Sequence, residues 1–264
     1  MAVSDNVVFA PEWLSQASRL KRQFTEAEPF PHLVLDGFLT RDLAESLLAE
    51  FPDVEAMPRS RDYVFGNKRE LSSVEEAGPA GAAFHEAILS DAFQRFLLEA
   101  TGYDVFVDPA FFGGGFHQGG DGSFLDMHVD FNVHPAHPDW LRTLNVLIYL
   151  NRGWKEEYGG QLLLRSAPSG PTVAVAPLFN RCVVMLTGDR TYHGYRKMSL
   201  PPGVTRKSIA AYAYRLVGEE EVRARTTGWA PEGASPMKRF LARHYDRAVR
   251  TKNRFLGSGT SRNR

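Results

Sequence analysis

The sequence predicts a mainly β fold, a sandwich or jelly roll, with helices on either side of it. Between residues 103 and 217, short β-branched and aromatic runs alternate with Gly, Pro and Asn, which is typical of many short strands joined by turns. The chain has 23 Gly and 16 Pro for such turns, and 43% of its residues are hydrophobic, enough for a sizeable core. Its 264 residues fit one compact domain, with helical support and a first strand (1–102), a β core (103–217) and a basic C-terminal helix and tail (218–264).

The N-terminal part alternates between strand and helix patterns. The run "FPHLVLDGFL" (30–39) is typical of a strand. Thr40 is the expected N-cap of the helix that follows, because apolar residues then recur at helical spacing until Pro52 ends them. Residues 53–82 have no clear period, and we expect mostly loop there. A second helix is predicted at 83–100.

Eight short strands are predicted in the β core. Their ranges are 104–107, 111–116, 124–130, 143–150, 161–164, 172–176, 181–186 and 207–216. After them the pattern returns to helix, where Phe240, Leu241, Tyr245 and Val249 form an apolar stripe.

The charge pattern limits the kinds of partner. Lys and Arg total 31, as do Asp and Glu, so the net charge is zero, which argues against a nucleic-acid scaffold. Residues 235–264 hold nine Lys or Arg and one acid, Asp246, which fits either a solvated helix or contact with an anionic partner. The sequence does not predict an oligomeric state.

The expected location is the cytoplasm. The start of the chain lacks the pattern of a secretory signal, and no apolar run approaches the ~20 residues needed to span a bilayer. The single cysteine, Cys182, lies in an apolar run that is typical of a buried strand and fits a reducing compartment.

The run "FLDMHVDFNVHP" (123–134) holds the strongest functional signal. His128 and Asp130 are two residues apart on a predicted strand, so their side chains lie on one face. If both point inward, a bound divalent metal would offset the cost of burying them. Two ligands are weak evidence alone, so a third is needed.

His193 is the best third ligand among the histidines. It follows the apolar strand 181–186, and in a jelly roll a late strand returns beside an early one. Two histidines and one carboxylate on one side of a metal form the ligand set of non-haem Fe(II) oxygenases, with positions left open. Such a centre favours a dianionic chelating co-substrate and O2.

An anionic co-substrate needs a cation for its far end. Arg206 and Ser208, in "TRKSIAAYAY", share a strand face. A guanidinium matches a carboxylate with two parallel donors, and the hydroxyl adds another.

The combined motifs resemble the Fe(II)/2-oxoglutarate-dependent dioxygenases, in their prolyl-hydroxylase-like branch. The resemblance extends over roughly residues 28–216 and rests on these runs: "PFPHLVLDGFLTRDLAESLLAEFP", "GGGFHQGGDGSFLDMHVDFNVHP", "RTLNVLIYLNRGWKEEYGGQLLL", "VAPLFNRCVVMLTGDRTYHGYRK" and "RKSIAAYAY". It implies a double-stranded β-helix, a cupin-like jelly-roll barrel, flanked by N- and C-terminal helices.

The resemblance also implies roles for individual residues. His128, Asp130 and His193 would bind Fe(II) and carry the catalysis. The 2-oxoglutarate site would consist of four residues, namely Arg206, Ser208, Asn145 and Tyr149. Ascorbate stays open as a reductant. Relatives that halogenate have a small residue in place of the metal-binding acid, so the presence of Asp130 favours hydroxylation.

The implied reaction is hydroxylation of a C–H bond, with O2 consumed and succinate and CO2 released. The expected substrate is a small molecule or an amino-acid derivative, without nucleic acid or membrane. Four residues near the metal motif in sequence are expected to contact the substrate, namely His117, Asn132, Phe116 and Trp154. Desaturation, epoxidation or cyclisation in natural-product biosynthesis is one alternative. A non-catalytic metal-binding sensor or interaction barrel is another.

Overall fold

The fold is a double-stranded β-helix that is nearly closed into a barrel, with helices packed outside it. The computed structural model describes residues 8–57, 59–218 and 224–245. The predicted tail beyond residue 245, including Val249 and Asp246, lies outside the described residues.

Antiparallel strands dominate the described part of the chain. In chain order they are β1 (His32–Asp36), β2 (Arg59–Tyr63), β3 (Gly66–Leu71), β4 (Phe106–Val107), β5 (Gly115–Gly119), β6 (Phe124–Val129), β7 (Val133–His134), β8 (His137–Tyr149), β9 (Leu162–Arg165), β10 (Val173–Val175), β11 (Arg181–Leu186), β12 (Tyr192–Tyr195), β13 (Arg206–Leu216) and β14 (Gly228–Trp229).

The pairing order creates the two faces of the barrel. Neighbouring strands run β1-β11-β8-β13-β5-β3-β6-β12-β9-β10, with β2, β4, β7 and β14 attached at the sides. β3 is the link, because one of its edges pairs with β2 while the other pairs with β6 at residues 66 and 67 and with β5 at residues 69–71. β14 pairs with β6 farther along, at His128 and Val129. The metal-motif strand therefore lies between β12 on one edge and both β3 and β14 on the other.

The helices form a layer on the outer side of the strands β1, β11, β8, β13 and β5. They are α1 (Pro11–Ser15), α2 (Ala17–Glu26), α3 (Arg41–Ala49), α4 (Pro79–Ile88) and α5 (Asp91–Thr101). Within this layer, the fully buried ring of Phe9 packs against those of Phe38 and Phe93. Phe116 of β5 belongs to the same apolar cluster and connects the layer to the sheet. The main apolar core thus lies between helices and sheet, while the barrel interior combines a smaller apolar cluster, which includes Val183 and Met185, with buried polar side chains.

Several predictions differ from the structure. The strand predicted at 111–116 is β5 at Gly115–Gly119, and β12 at Tyr192–Tyr195 was not among the eight predicted strands. The predicted helix 83–100 is two helices, because the Ser90 hydroxyl caps α5 by accepting a hydrogen bond from the Phe93 amide. The predicted loop 53–82 contains the β2–β3 hairpin, whose pairing to β5 and β6 is tertiary and leaves little period in the sequence. A helix is predicted from 218, but within residues 224–245 helix occurs only from 236, because residues 224–235 hold β14 and the helix-opposing Gly228, Pro231 and Gly233.

Cys182 is fully buried in β11 and has a free thiol. Within the described residues, no helix is both long and apolar enough to cross a membrane.

Candidate metal centre and anion pocket

Strand pairing brings the three predicted metal ligands together. His128 lies near the end of β6 and Asp130 lies just past it, while His193 of β12 pairs directly with His128. All three side chains are buried, and each offers a ligand atom within 4.8 Å of the others. Asp130 lies beside the Nε2 atoms of both rings, with its oxygens 3.6 Å from His128 Nε2 and 3.3 Å from His193 Nε2.

Backbone hydrogen bonds fix the orientation of both imidazoles. His128 Nδ1 is 2.9 Å from the Asp126 carbonyl oxygen, and His193 Nδ1 is 3.2 Å from that of Thr191. Because a carbonyl only accepts, each Nδ1 donates to its carbonyl, which turns each Nε2 toward Asp130 and the space beside it. The rings are therefore oriented as metal ligands before any metal binds.

The protonation states also suit a metal. Burial lowers the pKa of His193 to about 4, against the opposing effect of the Asp130 charge, so the ring is neutral at pH 7. Burial by itself would raise the pKa of Asp130, but the Arg142 guanidinium and the two histidines outweigh it and hold that pKa well below its usual value. A neutral His193 and an ionised Asp130, together with the imidazole of His128, form a ligand set that fits Fe(II).

Asp130 is further held by a buried polar network. Arg142 Nη2 lies 3.0 Å from Asp130 Oδ2, and the Asn145 side-chain amide donates to the same oxygen at 2.8 Å. Arg142 Nε also donates to Asn145 Oδ1 at 2.9 Å, and its guanidinium lies 3.4 Å from the centre of the Tyr212 ring. These contacts orient the carboxylate and leave its Oδ1 directed toward His128.

A β-bulge explains why Arg142 reaches the site. On the facing strand Tyr212 pairs with Asn145 and Tyr214 pairs with Arg142, so β8 has one more residue between its partners than β13 has. The extra residue turns Arg142 onto the same face as Asn145, although three residues separate them. A strict alternation of faces would have placed Arg142 outside.

Replacing Arg142 by Met is expected to destabilise the metal-free protein. The substitution leaves the buried Asp130 charge without its main counter-ion, a loss that costs about 3–5 kcal/mol in comparable buried pairs. We expect the thermal midpoint of the apo-protein to fall by about 10 °C, and saturating Co(II) to recover part of the loss because the metal supplies positive charge. Thermal unfolding with and without Co(II) measures both effects.

The matched control is Arg152→Met, which removes an exposed arginine from a surface ion pair with Glu45 and should change stability little. An apo-midpoint for Arg142→Met equal to that of Arg152→Met would contradict the assigned role.

Arg206 lies in the second buried part of the site. Its Nε donates to the Gly160 carbonyl at 2.8 Å and its Nη2 donates to the Tyr149 hydroxyl at 3.3 Å, and the ring of Tyr195 lies 4.4 Å from its guanidinium carbon. Only 7% of Arg206 is exposed, and Ser208 is buried beside it on the same face of β13. Among the described residues no carboxylate forms an ion pair with Arg206. A buried cation of this kind fits an external carboxylate.

The two parts of the site face the same interior. Asn145, which bonds Asp130, and Tyr149, which bonds Arg206, lie four residues apart on one face of β8, about 13 Å along the strand. Burial raises the pKa of the Tyr149 hydroxyl, so it stays protonated and is able to donate to an anion.

His117 lies in the same interior row. It pairs across β5 and β13 with Ser208, which in turn pairs with Tyr149. Two charged residues of β3 accompany it, since Lys68 Nζ is 2.8 Å from Glu70 Oε1 and 3.2 Å from His117 Nδ1. His117 therefore lines the barrel beside the Arg206 pocket.

The other three predicted substrate residues are placed differently. Asn132 exchanges hydrogen bonds with the backbone of Arg225, on the side of the metal centre. Trp154 packs near the base of the Arg206 pocket, where its indole donates to the Gly159 carbonyl. The structure does not bring Phe116 to this site, because it alternates with His117 and packs outward against Phe51.

Sequence reasoning missed several residues of the site. Tyr195 carried a usable signal, because it is two residues from His193 on the same strand. Arg142 was hidden by the bulge in β8, and Lys68 was hidden in a segment without a clear period. Arg225 and Trp229 gave no signal, since they approach the metal ligands only through tertiary pairing.

One family model matches most of the β core. The sequence model of the 2OG-Fe(II) oxygenase superfamily matches residues 114–214, which include the three metal-ligand residues and Arg206. No curated protein sequence matches the chain.

Solved structures share the fold. A prolyl-4-hydroxylase from Pseudomonas putida is 20% identical with a TM-score of 0.56, covering 76% of this chain and 99% of its own. A prolyl hydroxylase from Trichoplax adhaerens, in complex with a hypoxia inducible factor peptide fragment, is 15% identical with a TM-score of 0.53, covering 77% and 91%. The α-ketoglutarate-dependent epimerase SnoN from nogalamycin biosynthesis is 13% identical with a TM-score of 0.50, covering 85% and 88%. At these identities the likeness shows the fold.

Proposed function

Because residues 114–214 match the sequence model of the 2OG-Fe(II) oxygenase superfamily, we propose that the chain is such an oxygenase and hydroxylates a C–H bond of a small-molecule or amino-acid-derived substrate. The observation that carries the co-substrate assignment is Arg206, a buried guanidinium with no carboxylate partner among the described residues. It shares an interior with the buried set of His128, Asp130 and His193, which suits Fe(II).

Each part of the site has a separate task in this proposal. His128, Asp130 and His193 hold Fe(II), and Asn145 with Arg142 fixes the carboxylate of Asp130. Arg206, assisted by Tyr149 and Ser208, holds the distal carboxylate of 2-oxoglutarate. The carboxylate of 2-oxoglutarate would supply the counter-charge that Arg206 lacks.

When bound, iron and 2-oxoglutarate supply the oxidation: one atom of O2 enters the substrate C–H bond as a hydroxyl group, the other enters succinate, and CO2 leaves. The protein contributes orientation and exclusion of water. No side chain needs to act as a general base, which agrees with a site whose His193 is neutral and already committed through Nδ1 to a backbone carbonyl.

The first experiment is an anaerobic titration of the apo-protein with Fe(II) and then with 2-oxoglutarate. A visible metal-to-ligand charge-transfer band is expected, because it requires open metal positions and chelation of the keto acid. Iron binding without the band would overturn the co-substrate assignment and favour a non-catalytic metal-binding barrel. Ser208→Ala, which keeps Arg206, should give the band at a higher 2-oxoglutarate concentration.

Other outcomes of the same oxidation form the second candidate. The likeness in fold to an epimerase supports considering them, since one scaffold accommodates different fates of the substrate carbon. Product mass separates the options: hydroxylation adds one oxygen atom, desaturation or cyclisation removes two hydrogens, and epimerisation changes no mass. Screening should begin with free amino acids, prolyl peptides and other small carboxylates, with succinate release as the signal.

A further inference from the structure

A second set of contacts reaches the metal ligands from beyond the family match. We define residues 224–245 as the C-terminal clamp; they follow residue 214, where the match ends. Within the clamp, Gly228 and Trp229 form β14, which pairs with Val129 and His128 of β6. The clamp thus lies directly beside the strand that carries the first metal ligand.

Aromatic rings form a continuous column through His128. Phe65 stacks on Trp229 with centroids 4.9 Å apart and planes 12° apart, and Trp229 lies 4.9 Å from His128 at 32°. His128 in turn lies 4.3 Å from His193. Since Trp229 is directly opposite His128 in the ladder, its indole limits rotation of the imidazole on the side away from His193.

The clamp also contacts the carboxylate ligand and the start of β6. Arg225 Nη2 donates to the Asp130 carbonyl at 3.0 Å, and the Arg225 amide donates to the Asn132 side chain at 2.6 Å. Lys238 forms an ion pair with Asp126 at 2.7 Å, and Asp126 is the residue whose carbonyl orients His128. The clamp therefore touches β6 and its end at 126, 128 and 130.

Aromatic packing holds the clamp in place. Tyr245 meets the rings of Phe65 and Trp229 edge to face, at 5.8 Å and 6.2 Å. Phe65 itself belongs to the turn of the β2–β3 hairpin, and its carbonyl accepts from the Asp126 amide at 2.8 Å. The β2–β3 hairpin and the C-terminal clamp, which are distant in sequence, thus both support β6, the strand that carries His128.

From these contacts we propose that Trp229 is a positioning residue for the metal centre, and that the C-terminal clamp sets the metal affinity of the His128–Asp130–His193 site. Loss of a group that orients a metal ligand commonly lowers metal affinity by about 10- to 100-fold. The inference rests on the proposed metal-binding function, and it adds a contribution from residues outside the family match.

The test measures the Co(II) affinity of the full apo-protein by titration, so it does not depend on turnover. Trp229→Ala is expected to weaken Co(II) binding at least about tenfold, whereas Trp229→Phe should stay close to the native affinity because a flat ring still stacks on His128. Trp13→Ala is the matched control, because Trp13 lies in α1 on the helical layer and should bind Co(II) as the native protein does.

A spectroscopic signal separates positioning from general stability. Co(II) next to His128 should quench Trp229, so quenching should persist in Trp13→Ala and largely disappear in Trp229→Phe. If Trp229→Ala does not fold, Arg225→Gln replaces it and should also weaken Co(II) binding. Native Co(II) affinity in Trp229→Ala, or equal weakening in Trp229→Phe, would overturn the proposal. Failure of the native protein to bind Co(II) would instead overturn the metal site itself.

Discussion

Replacing His193 by Ala is expected to abolish both metal retention and 2-oxoglutarate turnover. The substitution removes one of the three proposed ligands, and the two that stay, His128 and Asp130, lie two residues apart at the end of one strand. Because His193 is neutral and buried, its loss leaves no buried charge without a partner, so the apo-protein should keep its fold. Metal content after anaerobic loading and succinate release measure the two losses.

Asp130→Ala should give the same functional loss but is the less clean test. It leaves the buried Arg142 cation without its carboxylate partner, and this loss is expected to cost about 3–5 kcal/mol of folding free energy. His137→Ala is the matched control for the histidine, since His137 is exposed and stacks on Trp140 away from the triad. Normal succinate formation by His193→Ala would rule out its assignment as a ligand.

Arg206→Met is expected to weaken 2-oxoglutarate binding by at least about thirtyfold while Fe(II) affinity stays near native. Removing one partner of a buried, hydrogen-bonded charge pair typically costs 2–5 kcal/mol. The effect should appear in the concentration of 2-oxoglutarate that gives half of the charge-transfer band. Fe(II) affinity is spared because Arg206 contacts Gly160, Tyr149 and Tyr195, none of which is a proposed ligand.

Arg215→Met offers a control on the same strand, because Arg215 is exposed near the end of β13. An unchanged half-saturating 2-oxoglutarate concentration in Arg206→Met would remove Arg206 from this role and leave the metal assignment standing.

Much of the β core was predictable because its signals are local. The alternation in β6 marks His128 and Asp130 as neighbours on one face, and the strand 181–186 is recovered with its predicted bounds. His193 was predictable only from the return of late strands in a jelly roll. The register that pairs it with His128 is a tertiary property.

What could not be predicted depends on breaks in the strand period and on distant pairing. The bulge in β8 brings Arg142 to Asp130, and another irregularity pairs His193 with His128 but Tyr195 with Leu125. Alternation of faces holds only while the ladder is regular, so such residues change sides without a mark in the sequence. The contact of Trp229 with His128 likewise requires knowledge of the fold.

The pairing of β14 with β6 has a consequence for the order of events during synthesis. A nascent chain leaving the ribosome acquires the β2–β3 hairpin, then His128 and Asp130, then His193, and only afterwards Trp229. A ribosome-bound intermediate that ends before residue 224 would hold every proposed iron ligand but not the indole beside His128. Iron captured at that stage should exchange faster than iron in a chain whose β14 has already paired with β6, so cofactor loading is expected to become durable only once Trp229 has reached His128.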